Sequence, residues 1–154
     1  MTTTIPVARQ GVYRFSDDLS EDAIPFTVSA PNLGEIDREN LVLRKLGVRC
    51  WGRLYHFRNY YQHGWGDGHG RTLSPRALEI FYRFIEEAVF PQGINPNLFL
   101  TDEGHLELCW DSQFGGAVQV EFTPSGAEYF IERLGSEDTV PFTEISLLAK
   151  RVLD

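Results

Sequence analysis

The residues best suited to chemistry stand together in the run His63-Gly64-Trp65-Gly66-Asp67-Gly68-His69-Gly70. Two imidazoles and a carboxylate are donor types of a zinc-like centre, and a fourth ligand from His56 or His105 would complete a tetrahedral set. Such a centre would support metal-assisted hydrolysis, with His63, Asp67 and His69 as ligands or proton carriers. The spacing argues against it. A rigid site places two histidines four apart on one helix face, as in HExxH, whereas alternating glycines leave these side chains without preorganisation. Turn chemistry is the fuller explanation of this loop, with Asp67 bonding its own backbone. No metal and no cofactor is therefore assigned, and the small hydrolase built on His63, Asp67 and His69 stands as the alternative.

Other reactive combinations are incomplete. The glycine loop precedes a helix start, but no strong strand leads into it and no Lys-Ser/Thr follows. Pro75 also removes one amide that an anion would use, so a phosphate cradle is not indicated. Cys50 and Cys109 are far apart, with neither CxxC nor zinc-knuckle spacing, so no disulfide framework or structural metal is expected. Cys109, beside Trp110, reads as a partly covered structural thiol. No catalytic residue is assigned. Trp65 either folds back onto the core, the favoured reading, or anchors an interface. It joins Asp67, Tyr60 and Tyr61 as the interaction candidates.

These residues depend on elements legible from period and caps. Ser74 offers an N-cap hydroxyl and Pro75 a preset φ, opening a helix over 74–89. Its apolar stripe of Leu78, Phe81, Ile85 and Ala88 requires a sheet to pack on. Glu79 and Arg83 form an i,i+4 pair, and Pro91 bars continuation. Beyond Pro96 the period becomes two. A strand over 98–100 reaches a turn at Asp102-Glu103-Gly104, and Leu106, Leu108 and Trp110 then alternate with His105, Glu107, Cys109 and Asp111. Val118, Val120 and Phe122 alternate with Gln119 and Glu121, and a Pro124-Ser125-Gly126 turn opens a strand over 127–134. Ile145, Leu148, Ala149 and Val152 recur at helical spacing from Thr143 onward, with Lys150 and Arg151 at the end that the helix dipole favours for cations. The periodicity of 37–61 is ambiguous and leans to helix. The resulting expectation is an α+β fold, an antiparallel β-meander packed against one or two helices.

The 154 residues suit one domain over 1–154, because a chain of this length buries roughly two-thirds of its unfolded surface. Residues 1–34 read as a loop-rich N-terminal segment, frayed over 1–4, with short edge strands at 11–15 and 24–28. With 42% apolar and 23% charged residues, neither disorder nor a fibrous protein fits. A net charge of -8 repels phosphate backbones, so nucleic-acid binding needs a local basic patch. Arg38, Arg44, Lys45, Arg49, Arg53 and Arg58 supply one, with Glu35, Asp37 and Glu39 crowding one end. A solvated mixed-charge face is the preferred reading, and nucleic-acid binding through the Arg44 to Arg58 region is a second alternative. The sequence shows no charged n-region leading into an apolar h-region and no apolar run near the roughly 20 residues that span a bilayer. A cytoplasmic location, in a cell or an infected host, and no membrane partner are expected.

One pattern goes further. Trp65, Asp67 and Gly68 form a Trp-Asp-Gly-like loop, followed by Ser74-Pro75, Pro96, Asp102-Glu103-Gly104, Leu106-Glu107-Leu108 and Trp110. This order resembles a group of small uncharacterised bacterial and phage proteins often encoded near toxin-antitoxin or defence genes. The likeness spans about half of the chain and departs at Gly66, which separates Trp65 from Asp67. It implies a fold and a genomic neighbourhood, and it supplies no catalytic residues. Together with the acidity and the many aromatic residues, it leads to the expectation of a non-enzymatic acidic factor of antitoxin, immunity or anti-defence type, with another protein as partner.

Overall fold

Two helices account for the region whose periodicity fits either element: α1 (Leu33–Leu46) and α2 (Val48–Asn59). Gly47 separates them at a φ of 91°, a left-handed conformation that costs glycine little. In this computed structural model the described residues are 33–154. Those from Asp37 onward form a compact unit. The strands expected at 11–15 and 24–28, and the fraying over 1–4, lie outside the described residues.

The capped helix is α3 (Pro75–Glu87), where the Ser74 hydroxyl accepts the Ala77 N–H at 3.1 Å. It ends before Pro91 because Ala88 turns to extended geometry. The carbonyls left without helical partners there are met by the Lys45 ammonium, which donates to Ile85 O and Ala88 O, each at 2.7 Å. The expected pairing of Glu79 with Arg83 gives way to a longer-range one. Glu79 takes two guanidinium nitrogens of Arg38, both at 2.8 Å, while Arg83 lies over the Phe142 ring. A bidentate fork outcompetes a flexible i,i+4 contact.

Five strands follow: β1 (Asn97–Leu100), β2 (Leu106–Asp111), β3 (Ala117–Thr123), β4 (Gly126–Ile131) and β5 (Ser136–Pro141). They pair antiparallel in the order β1-β2-β3-β4-β5, so the meander expected from the alternation is present. The strand expected over 127–134 stops at Ile131. Glu132–Leu134 form a 3-10 turn, and Gly135 reverses the chain at a φ of 57°. β5, with the sequence SEDTVP, buries only Val140 and therefore carries no alternation to read. A second 3-10 turn leads into α4 (Ile145–Leu153).

One sheet face is the core. Leu106, Leu108, Val120, Phe122 and Ala127 are fully buried there, and α3 packs on β3 with α4 beside it. The Phe122 ring centre lies 5.4 Å from that of Phe81 and 5.1 Å from that of Phe84. Burying each such ring contributes roughly 2–3 kcal/mol, and the oblique ring contacts add to it. The glycine loop is held against the β1–β2 turn: the Arg71 N–H donates to Asp102 O at 2.9 Å and the Ser74 N–H to Gly104 O at 2.8 Å.

Both sheet margins are guarded. At β1, Arg53 Nε donates to Leu98 O at 2.5 Å, and the Cys50 thiol donates to Pro96 O at 3.2 Å. At β5, Glu137 and Asp138 are exposed and Pro141 lacks an N–H, devices that discourage addition of another strand. No helix of the described residues is long and apolar enough to cross a membrane.

Candidate functional site

Strand alternation that buries one face of the sheet presents the other to solvent. The registers place Glu107 opposite Glu121, and Glu121 opposite Glu128. Three glutamates on three adjacent strands thus form a straight row, extended by Phe99 at one end and Thr139 at the other. The neighbouring row runs Cys109, Gln119, Phe130, Glu137. Between them lies an open groove of about 340 Å³, lined by Glu107, Gln119, Glu121, Glu128, Phe130 and Glu137. Phe130 is 36% exposed and Phe99 40%, large apolar groups left at the surface.

The row is only partly compensated. Gln119 Nε2 donates to Glu107, and His105 Nδ1 lies 2.8 Å from Glu121 Oε2. Among the described residues no Lys or Arg pairs with Glu107, Glu121 or Glu128. Like charges directly opposite one another on a sheet are destabilising. Here they occur twice in succession.

His105 and Glu121, with exposed Glu103, are also the one group of three among the described residues whose metal-competent atoms all lie within 4.8 Å of one another. His63, Asp67 and His69 do not converge in this way. All three are exposed, on a turn held by backbone bonds from the Gly64 N–H to Gly70 O and from the Gly70 N–H to Trp65 O, each 2.7 Å. Asp67 adopts a left-handed φ of 62° there, which Asp tolerates better than most residues. The hydrolase alternative thus lacks its assembled ligand set.

Trp65 folds back. Its indole N–H donates to Arg71 O at 2.6 Å, and its ring meets Tyr61 edge to face at 5.1 Å. The ring also covers Gly70 so closely that a Cβ at that position would overlap it. Tyr61 in turn packs on Phe57 at 5.2 Å. Trp65 and Tyr61 therefore hold the loop to α2, whereas Asp67 and Tyr60 remain exposed, Tyr60 next to His56.

The basic residues of α1 and α2 are largely committed to the fold. Arg38 holds Glu79, Lys45 holds the end of α3, Arg53 holds β1, and Arg58 holds Glu39. Arg44 and Arg49 are exposed. The thiols are suppressed as nucleophiles: burial raises the Cys50 pKa, and burial, with Glu107 nearby, pushes Cys109 up to about 11.

Glu107 and Glu121 were legible as polar-face residues, but their alignment with Glu128 required the register of three strands. No family model, no curated protein and no solved structure matches the chain. The site is therefore characterised by its own geometry. It is a shallow anionic surface with Phe99 at one end of the glutamate row and Phe130 in the row beside it, suited to holding a cationic, partly apolar surface.

Proposed function

We propose that the chain is a non-enzymatic, acidic protein-binding factor of the antitoxin, immunity or anti-defence type, with the open sheet face as its contact surface. The observation that carries this reading is the exposure of Phe130, with Phe99 on the same face beneath the Arg53 guanidinium, beside a glutamate row that no Lys or Arg of the described residues pairs with. Aromatic side chains within a polar surround are the usual anchors of protein interfaces. The net charge of -8 favours rapid encounter with a basic partner. The raised thiol pKa values leave neither cysteine poised for nucleophilic attack.

The test uses the full chain as bait in host extract, beside a Phe130→Asp variant, with recovered proteins identified by mass spectrometry and confirmed with purified components. The expected result is one protein retained stoichiometrically by the natural chain and lost with the variant. A metal-dependent hydrolytic activity of the purified chain, abolished by His69→Ala, would overturn the reading.

A further inference from the structure

We infer that the occupant of the open sheet face is a cationic segment of the partner protein, whose arginine or lysine side chains lie along the Glu107, Glu121, Glu128 row while an apolar side chain covers Phe130. This inference rests on the protein-binding reading above and adds the chemistry of the partner.

The argument begins with a conflict inside the fold. Cross-strand neighbours lie about 5 Å apart, so the row brings three carboxylates within roughly 10 Å. At that spacing their repulsion is only partly screened by physiological salt, whose Debye length is about 8 Å. A Lys or Arg directly opposite a Glu stabilises a strand pair, whereas like charges destabilise it. Here the compensation is one neutral amide, from Gln119, and one imidazole, from His105. Local choices that oppose stability are expected where a surface serves another purpose.

Charge complementarity then selects the occupant. A guanidinium presents a planar fork of donors that bridges two carboxylates, which a compact, strongly hydrated ammonium does less well. Two cationic side chains two residues apart on an extended segment are separated by about 7 Å, a spacing that fits between the ends of the row. Phe130 stands one row away, next to Gln119 and Glu137, and supplies the apolar contact that a simple ion pair lacks. With both sheet margins guarded, a segment approaches the broad face and binds through side chains.

The test measures fluorescence anisotropy of a labelled peptide of alternating arginine and leucine, titrated with the full chain. A matched peptide with citrulline in place of arginine is the control. The E107Q/E121Q/E128Q variant removes the row, and E87Q/E144Q/D154N removes the same three charges elsewhere. Because the row variant relieves repulsion it keeps the fold, which circular dichroism checks. The expected result is binding of the arginine peptide that weakens roughly tenfold or more in the row variant and less than about threefold in the control variant, with log affinity falling linearly in log salt concentration. Equal weakening in both variants, or equal binding of the citrulline peptide, overturns the inference. So does zinc alone saturating Glu103, His105 and Glu121 with an affinity that the peptide cannot displace. If a host partner is captured but binds the row variant undiminished, this inference fails and the protein-binding reading stands. If no partner is captured, the reading itself fails.

Discussion

Glu107 and Glu121 face one another directly across the β2–β3 pair, both on the open side of the sheet. Among the described residues neither pairs with a Lys or Arg, and the His105 contact falls to one of them alone, its Nδ1 lying 2.8 Å from Glu121 Oε2. The pair is a small, identifiable cost to folding, and it can be separated experimentally from any role in binding.

Replacing Glu128 with Gln shortens the anionic row without touching the His105 contact. We expect a gain of about 0.2–1 kcal/mol in stability, from the cross-strand magnitudes. The gain should be largest at low ionic strength and fade in salt. Urea unfolding monitored by circular dichroism at two salt concentrations reads it. A loss of stability would show that the row is not repulsive.

Gly104 ties the β1–β2 turn to the glycine loop. Its φ of 83° is left-handed, and a Cβ there would overlap the Thr72 carbonyl oxygen. Gly104→Ala is therefore expected to destabilise by about 2–3 kcal/mol, strain and displacement acting together. Thermal melting should show a lowered midpoint, and the Trp65 emission should shift as the loop loosens. An unchanged melt would refute the close approach.

Cys109 should react slowly. With its pKa pushed up to about 11 by burial and by Glu107, the thiolate is a minor species near pH 8. Its rate of modification by a disulfide reagent should be roughly a hundredfold below that of an unshifted thiol and climb with pH past 9. Cys50, fully buried, should react only on unfolding. Rapid labelling of the native protein at pH 7 would contradict this environment.

The Arg38–Glu79 fork gives an acid limb to stability. The hydrogen bond from Arg38 holds the Glu79 pKa below its ordinary value. A carboxylate lowered in the folded state contributes stability above its unfolded pKa and loses it as the pH falls through the folded one. The side chains are 32% and 38% exposed, so solvent screening limits the contribution to about 0.5–1 kcal/mol. Glu79→Gln should lower stability by that amount at pH 7 and by less at pH 2, because the natural carboxyl loses its charge as the pH falls through its lowered folded pKa. An equal deficit at both values would mean that lost packing, not charge, is responsible.

What could be read beforehand followed from local physics. The Ser74 cap, Pro75 and the stripe of α3 announce themselves within a few residues, and so does the alternation of β2 and β3. β5 escaped because five of its six side chains avoid full burial. The roles of Arg38, Lys45 and Arg53 were equally hidden, since their partners lie some 40 to 45 positions along the chain. A cluster that reads as a basic patch in one dimension becomes a set of fasteners in three. The glutamate row was hidden for the same reason: each member is an ordinary outward residue until the strands are aligned.

The Arg53 clasp on β1 and the charged, proline-ended β5 have a bearing on behaviour at high concentration. Neither margin of this sheet offers an open backbone ladder to a second copy, so crowding alone should not drive strand addition at these edges.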